Sequence, residues 1–236
     1  MIKGLFDNYN IRARLCACIF ILSPLLINAY ILIEELRTLS ATLIVLITTI
    51  AVSCFLITWV RYCGSKYSQT DYIALLLHPN SDEIDKITKI RYYEKLHSLH
   101  EQFDFSTITD EREKQTTDKL LISVSSWLKS KTRSDKYYLV REENCNYGFI
   151  RNIYVAKKTF LIIFSIITVL FVAWLYIKSP STTIAEFILT LPGIYLACLI
   201  IHAVTFIIWI GCITPKLVEF VARKYAMAVL SAVDEL

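Results

Sequence analysis

Four long apolar runs constrain the fold of this chain more than any other feature of its sequence. They cover residues 15–33, 42–60, 160–177 and 187–213. A helix rises about 1.5 Å per residue, so each run is long enough to cross a hydrocarbon core about 30 Å thick. The composition agrees, because 55% of the residues are hydrophobic and only 19% are charged. The sequence therefore predicts an all-α integral membrane protein with four spans.

Short polar connections predict that these runs pair into two transmembrane helical hairpins. Residues 34–40 join the first run to the second, and residues 178–186 join the third to the fourth. Basic residues mark the cytoplasmic ends of membrane spans. They lie at the open ends of both hairpins: Arg12, Arg14, Arg61, Lys66, Lys157, Lys158, Lys216, Arg223 and Lys224. We therefore expect both termini, and the segment between the hairpins, to be cytoplasmic.

The same pattern divides the chain into four parts. It predicts an N-terminal transmembrane hairpin at residues 1–61, a helical cytoplasmic insert between spans 2 and 3 at residues 62–157, a C-terminal transmembrane hairpin at residues 158–213, and a cytoplasmic amphipathic C-terminal helix at residues 214–236. Glycine and proline number 5 each, which leaves little material for a glycine-rich phosphate loop. This composition argues against an enzyme that cradles a nucleotide.

Helical spacing of apolar residues predicts two helices in the insert. The first is expected to start with Ser81 as its N-cap, because acids follow this serine in the first turn, where the helix dipole favours them. Its apolar face is expected to hold Ile84, Ile87, Ile90, Leu96, Leu99 and Phe103. The second is expected to start at Thr109 or Asp110 and to bury Leu120, Leu121, Val124, Trp127 and Leu128. Similar spacing near the C-terminus predicts a tail helix that lies on the membrane surface or bundles with the insert.

Glu94 and His97 are the residues that come nearest to a metal site. A Glu-x-x-His pair on a helix is the ligand spacing of di-iron carboxylate bundles. Such a site needs a second pair of this kind, and the sequence contains none. We interpret the pair as part of a solvated helix face. The sequence predicts no enzyme, no cofactor and no metal site.

A polar stripe follows the fourth apolar run. Its members, at steps of three and four that place them on one helix face, are Tyr195, Cys198, His202, Thr205 and Trp209. An ionisable residue in a span normally faces protein or water rather than lipid. The stripe therefore has two interpretations: side chains that hydrogen-bond between packed helices, or side chains that line a pore in an oligomer.

A second polar stretch leads into the third apolar run. We expect it to form a turn with a glycine hinge at Gly148, followed by the third helix. In a symmetric oligomer Glu142 and Glu143 would recur around the axis, and a ring of carboxylates at a pore mouth concentrates cations. Because the stretch links the insert to the second hairpin, it is also a candidate coupling motif, carried by Asn144, Tyr147, Gly148, Phe149, Arg151 and Asn152.

This run, from Glu142 to Asn152, resembles a motif of bacterial four-helix membrane proteins of the defence-associated type, and it is similar to the channel-forming effectors of the Hailong anti-phage system. The related pattern has a second arginine where this chain has Ile150, so a basic pairing role does not carry over to that position. The resemblance implies location in the bacterial inner (plasma) membrane, a homo-oligomer with a tetramer favoured, and a cyclic or oligonucleotide-like ligand.

Two functions of different classes fit these observations. One is a homo-oligomeric channel or membrane-disrupting effector that is gated by its cytoplasmic insert and acts in anti-phage defence. The other is a non-conducting membrane anchor or scaffold whose insert recruits a cytoplasmic partner. The expected partners are the lipid bilayer, further copies of the chain, and either a nucleotide-type ligand or a cytoplasmic regulatory protein.

Overall fold

The structure, a computed structural model, describes residues 9–65, 70–105, 114–179 and 183–236. Helix accounts for 85% of the described residues, and no strand occurs among them. The α-helices are α1 (Cys16–Leu32), α2 (Leu39–Ser65), α3 (Tyr72–Leu77), α4 (Lys86–Leu99), α5 (Lys114–Lys131), α6 (Tyr138–Lys178), α7 (Ile184–Thr190), α8 (Gly193–Ile207) and α9 (Pro215–Ser231). A π-helical turn, Asn10–Leu15, precedes α1, and another, Ile208–Cys212, follows α8.

Four of the helical segments are long and apolar enough to cross a membrane. They are Asn10–Leu32, Ser40–Gly64, Tyr138–Lys178 and Gly193–Cys212. The prediction of an all-helical chain with four candidate spans is confirmed at this level. Between 17% and 28% of the residues in each apolar window are buried inside the chain. Most residues of these windows are thus not buried within the chain itself.

The turn that was expected before the third span is absent, because helix α6 runs through this stretch. The stretch predicted as a turn with a glycine hinge lies inside one uninterrupted helix of 41 residues. It contains a single glycine and no proline, and a lone glycine costs a helix only about 1 kcal/mol relative to alanine. At 1.5 Å per residue α6 is about 60 Å long, about twice the thickness of a hydrocarbon core.

The fourth apolar run also differs from its prediction. It was expected as one span over residues 187–213, but Leu191 and Pro192 separate α7 from α8. Proline disfavours helical backbone in the residue before it, and its fixed φ suits the start of a helix. The candidate span therefore starts at Gly193 and includes the π-helical turn at its other end.

Proline inside α1 is accommodated by neighbouring side chains. Pro24 has no N–H to donate to the carbonyl of Phe20, four residues earlier. The hydroxyl of Ser23 donates to that carbonyl instead, at 2.9 Å. The side-chain amide of Asn28, which is buried, donates to the carbonyl of Pro24 at 2.8 Å. Such local replacement is what allows proline within a membrane helix.

The described residues belong to two compact units. The first contains the described residues of 1–67 and 148–218, and the second contains the described residues of 68–147 and 219–236. In the first unit, α1, α6 and the end of α8 pack around aromatic rings. The ring centroids of Phe160 and Trp209 are 3.8 Å apart, and Phe20 lies 5.8 Å from Trp209. Ile21, Val60 and Ile153 complete this core.

The second unit has a separate hydrophobic core that includes the tail. Leu121, Val124 and Leu128 of α5 are fully buried there, as predicted, together with Val229 and Leu230 of α9. The tail helix thus bundles with the insert, one of the two arrangements that its spacing allowed. The expected start of α5 at Thr109 or Asp110 lies outside the described residues.

Helix α4 departs from its predicted start and from its predicted face. Asp85, not Ser81, is the N-cap, and its carboxylate accepts a hydrogen bond from the N–H of Thr88 at 2.8 Å. Ile87 and Ile90 are 82% and 55% exposed, whereas Lys89 is only 4% exposed. The ammonium of Lys89 donates to the backbone carbonyls of His78, at 2.9 Å, and Ser81. Burial lowers the pKa of Lys89, and these carbonyls compensate the buried charge.

The shared core of α5 and α9 predicts that a cavity in the tail will loosen the insert. Leu230→Ala, at a side chain that is 1% exposed, is expected to destabilise the second unit by about 2–5 kcal/mol. Hydrogen exchange of residues 114–131, measured by mass spectrometry on the full chain, should become faster. Met227→Ala, at a side chain of the same helix that is 44% exposed, is the control and should leave this exchange unchanged. Unaltered protection of α5 in Leu230→Ala would contradict the shared core.

Candidate functional site

The polar stripe of the fourth run lies on α8 and the π-helical turn that follows it, and it points into the first unit. Cys198, His202, Thr205 and Trp209 are buried, with at most 6% of each exposed, and Tyr195 is half-buried. The prediction that these residues share one inward face is confirmed for the four buried members. Their role as pore-lining residues stays a prediction.

His202 is held between α6 and α8 by a hydrogen bond and two aromatic rings. Its Nδ1 lies 2.6 Å from the hydroxyl oxygen of Thr168, which is itself 2.8 Å from the carbonyl oxygen of Phe164. Since a hydroxyl has one proton, a threonine that donates to the carbonyl accepts from Nδ1–H of the histidine. The imidazole also stacks on Phe164 at 4.7 Å and on Phe171 at 5.8 Å between ring centroids. These contacts match the first interpretation of the stripe, in which its side chains hydrogen-bond between packed helices.

The rest of the stripe packs in the same way. The indole of Trp209 stacks on Phe160, and the hydroxyl of Thr205 donates to the carbonyl of Ile201 at 2.7 Å within its own helix. In the single chain these side chains face protein rather than an open channel. A conduit along this face therefore requires α8 to move away from α6.

A polar junction joins α6 to both π-helical turns of the first unit. The side-chain amide of Asn152 donates to the carbonyl of Ala13, in the first π-helical turn, at 2.7 Å. The ammonium of Lys157 donates to the carbonyls of Ile213, at 2.7 Å, and Ile210, at 3.3 Å, at the end of the second. A cation at a helix C-terminus complements carbonyls that have no partner within the helix. Two side chains of one helix thus stabilise the ends of two others.

Gly148 is the close-packing point of this junction. A Cβ built on it would lie 2.7 Å from the hydroxyl of Tyr9 and 2.8 Å from the Cβ of Ala13. Three residues further along α6, the guanidinium of Arg151 donates to the carbonyl of Gly64 in α2 at 3.2 Å. The glycine is needed for close helix approach rather than for a hinge. Gly148, Arg151 and Asn152 of the predicted coupling motif are therefore brought together here, and Phe149 packs nearby against Phe20 at 6.2 Å between centroids.

The other members of the motif belong to the second unit. Glu142, Glu143 and Asn144 are half-buried residues of α6, and the ring of Tyr147 stacks parallel to that of Tyr225 at 5.9 Å. The motif is thus continuous along one helix but is divided between two compact units. The function of Glu142 and Glu143 as an acidic pore mouth stays a prediction.

A pocket in the second unit was not predicted from the sequence. It has a volume of about 280 Å³, and its lining includes Asp71, Lys129, Tyr147 and Tyr225. These residues are far apart in the sequence, so periodicity alone does not group them. The one local signal is Asp71, which stands directly before the apolar run of α3 in the position of an N-cap.

Asp71 organises one wall of this pocket. Its carboxylate accepts hydrogen bonds from the ammonium of Lys129 at 2.7 Å, from the buried hydroxyl of Ser125 at 2.8 Å, and from the N–H of Ile73 at 3.1 Å. Burial, the largest single influence, favours the neutral acid. The hydrogen bond and charge of Lys129, together with Ser125 and the N–H of Ala74, outweigh it and hold the pKa of Asp71 below its ordinary value.

The Glu94 and His97 pair forms no ligand cluster with other residues that the structure describes. Both side chains are largely solvent-accessible, and Nδ1 of His97 lies 3.0 Å from the carbonyl oxygen of Phe103. Within the described ranges, no group of three His, Cys, Asp or Glu residues is arranged to hold a metal ion.

Protein-family models, curated proteins and solved structures were each compared with the chain, and none of the three comparisons found a match.

The close contact at Gly148 predicts that even one added methyl group will be harmful. In an isolated helix Gly→Ala is favourable by about 1 kcal/mol, but crowding against Tyr9 and Ala13 is expected to cost about 1–3 kcal/mol. Gly148→Ala should therefore lower the thermal unfolding midpoint of the purified protein. Gly193→Ala is the matched control, because nothing lies within 4 Å of its added Cβ, and it should leave the midpoint unchanged or slightly raised. Equal midpoints for the two variants would rule out the close contact.

The surroundings of Asp71 predict a specific loss of stability in acid. Because its folded pKa lies below the ordinary value, the ionised carboxylate stabilises the fold above the unfolded pKa, near 3.9, and this contribution is lost as the pH falls through the folded pKa. Asp71→Asn removes that dependence. The difference in unfolding midpoint between the original protein and the variant, measured from about pH 6 to about pH 3, should shrink as the pH falls. A difference that is constant with pH would contradict the assignment.

Proposed function

We propose that the protein is a homo-oligomeric membrane channel or membrane-disrupting effector, gated by the helical insert and acting in bacterial anti-phage defence. The observation that carries the proposal is His202, an ionisable residue that is buried between two candidate spans and bonded to Thr168. Ionisable side chains are rare within spans and commonly mark ion paths or moving elements. The defence role rests on the resemblance of the run from Glu142 to Asn152.

The proposed location is the bacterial inner membrane, with both termini and the insert in the cytoplasm. The distribution of charge supports it. The described basic residues Arg12, Arg14, Arg151 and Lys157 lie at the end of the first unit where α6 meets the two π-helical turns. The opposite end has three acids, Glu34, Glu35 and Glu186, beside two bases, Arg37 and Lys178, and so has no excess of positive charge among the described residues. Cytoplasmic ends of spans carry an excess of Lys and Arg.

In the proposed resting state the channel is closed, because the polar face of α8 is packed against α6. Opening separates the two helices and exposes His202 and Thr205 to a shared axis, with a tetramer as the favoured assembly. Coupling to the insert runs along α6, which contains both the junction around Gly148 and the ring of Tyr147 beside the pocket. The pocket beside Lys129 and Tyr225 is the candidate site for a nucleotide-type ligand, and a cytoplasmic regulatory protein is the other proposed trigger.

Removal of the hydrogen bond on His202 should favour the open state. Thr168→Val keeps the shape of the side chain and removes the hydroxyl. Hydrogen bonds between membrane helices are worth about 0.6–1.7 kcal/mol, which corresponds to an increase of about 3-fold to 18-fold in the open-to-closed ratio. Ion flux from liposomes that contain the purified protein measures this change. Thr48→Val, at an exposed threonine of α2, is the control and should conduct like the original protein.

Two measurements can exclude the proposed channel. One is the mass of the detergent-solubilised particle, because a monomer leaves no room for a conduit among four spans. The other is flux, since absence of ion passage from both the original protein and Thr168→Val would exclude conduction. If the protein conducts ions and Glu143 lies at the pore mouth, Glu143→Gln should reduce the selectivity for cations. Unchanged selectivity would show that Glu143 is not part of an acidic pore mouth.

A non-conducting anchor that recruits a cytoplasmic partner is the second candidate. It is favoured by Ile87 and Ile90, which lie one turn apart on α4 and expose 82% and 55% of their surface. An exposed apolar pair of this kind is suited to a protein contact. Under this function, replacement of both isoleucines by serine abolishes partner capture, whereas Thr168→Val has no effect on activity in cells.

A further inference from the structure

Helix α4 has an exposed face whose pattern of side chains is complementary to itself. Ile87 and Ile90 of this face are 82% and 55% exposed, although apolar residues at this spacing ordinarily cover a core. Lys86 and Glu94 are exposed on the same side of the helix. Because Lys86, Ile90 and Glu94 follow one another at steps of four residues, they form one ridge along α4. The ridge has a base at one end, an isoleucine in the middle and an acid at the other end.

The packing of α4 keeps this ridge on the surface of the second unit. Tyr92 and Leu96, on the other side of the helix, belong to the core of that unit. None of the described residues forms an ion pair with Lys86 or Glu94. Arg91, beside the ridge, is paired with Asp234 of the same unit at 2.9 Å. The ridge therefore presents one charge of each sign and an apolar centre.

A second copy of α4 matches this ridge when the two helices cross in antiparallel directions at Ile90. The two-fold axis of such a contact brings Ile90 against its own copy. Lys86 and Glu94 are four residues to either side of Ile90, about 6 Å along the helix, so the lysine of each copy meets the glutamate of the other. Ridges of this kind interdigitate in the commonest class of helix packing, and a two-fold contact requires a surface that complements itself.

From the exposed isoleucines and this order of charges together, we infer that the exposed face of α4 binds the same face of a second copy of the chain. Ile90 lies on the two-fold axis, and Lys86 of each copy pairs with Glu94 of the other. The contact buries the two isoleucines, Ile87 and Ile90, that a single chain leaves exposed.

The pattern favours a second copy over the other surfaces that could cover an exposed isoleucine pair. A lipid surface would have to accept Glu94 beside Ile90, and anionic headgroups repel a carboxylate. An unlike cytoplasmic protein would have to supply an acid opposite Lys86, a base opposite Glu94 and an apolar residue between them. A second copy already has this arrangement at the required spacing.

The inference deepens the homo-oligomer proposed above, and it rests on that part of the proposed function and not on conduction. A single helix pair is smaller than the interfaces of about 1,200–2,000 Å² that stabilise soluble complexes. Chains held in the same bilayer meet at a high effective concentration, so a small contact is sufficient to pair them. Because a two-fold contact joins copies in pairs, a tetramer is reached through it as a dimer of dimers.

Cysteine cross-linking of the full chain in liposomes tests the position of the two-fold axis. Ile90→Cys places a thiol on this axis and should give a disulfide-linked dimer on mild oxidation. Ile122→Cys, at an isoleucine of α5 that is 52% exposed in the same unit, is the matched control. It should give no more dimer than the original protein, whose seven cysteines set the background. A dimer yield of Ile90→Cys at this background, or a cross-link to an unlike protein in cell membranes in place of the dimer, would overturn the inference.

Reversal of the two charges tests the pairing itself. Lys86→Glu or Glu94→Lys, each added to Ile90→Cys, places like charges opposite each other twice in the dimer. Either change should weaken dimer formation by about 2-fold to 25-fold, the effect of losing two exposed ion pairs. The two changes together restore both pairs and should recover the yield of Ile90→Cys. Lys119→Glu, at an exposed lysine of α5, makes the same change in net charge and should leave the yield unaltered.

Two results of the charge reversal would contradict the contact. One is a loss of yield in Lys119→Glu equal to that in Lys86→Glu, and the other is failure of the combined reversal to recover the dimer. The cross-link is measured independently of ion flux. Loss of the cross-link with flux intact refutes this contact alone, whereas a cross-linked dimer that passes no ions refutes conduction alone.

Discussion

The first unit depends on the satisfaction of backbone carbonyls in helices that are long and apolar enough to cross a membrane. In hydrocarbon no water is available to an unpaired carbonyl, and each one costs several kcal/mol. Ser23 supplies the donor that Pro24 lacks, and Lys157 supplies donors where the π-helical turn after α8 ends. The side-chain amide of Asn152 donates to the carbonyl of Ala13. Polar side chains within the apolar helices thus stabilise the fold by donating hydrogen bonds to backbone carbonyls.

The same requirement explains features of the second unit. Lys89 occupies a position where an apolar residue would be expected, because its ammonium is bonded to the carbonyls of His78 and Ser81, where α3 ends. Asp71 serves the other end of α3 by accepting from backbone N–H groups, while it also binds Lys129 and Ser125. A helix of six residues is too short to be stable by itself. It is held by these two charged side chains and by the core formed with α5 and α9.

Properties that depend on the local sequence could be predicted, and properties that depend on distant partners could not. Apolar length is enough to identify four spanning helices, and the apolar spacing of Leu121, Val124 and Leu128 is enough to identify the buried face of α5. The prediction of the buried face of α4 was wrong, because apolar periodicity places Ile87 in the core and does not identify Lys89 as a buried residue. The prediction of a hinge at Gly148 was wrong, because glycine can serve either as a hinge or as a point of close helix packing. The close approach to Ala13 depends on a neighbouring helix that is distant in the sequence. The pocket beside Asp71 and an apolar groove beside Trp59 are each lined by side chains from three or more helices, which no local pattern brings together.

Phe164 links the two most distinctive regions of the first unit. Its ring lines an apolar groove that is enclosed by α1, α2 and α6, and it also stacks on the imidazole of His202 at 4.7 Å between ring centroids. Its carbonyl accepts the hydroxyl of Thr168, which fixes the partner of that imidazole. Interiors packed this closely do not deform smoothly, so displacement of one ring shifts its neighbours. Displacement of the Phe164 ring therefore affects both the lining of this groove and the contact between α6 and α8.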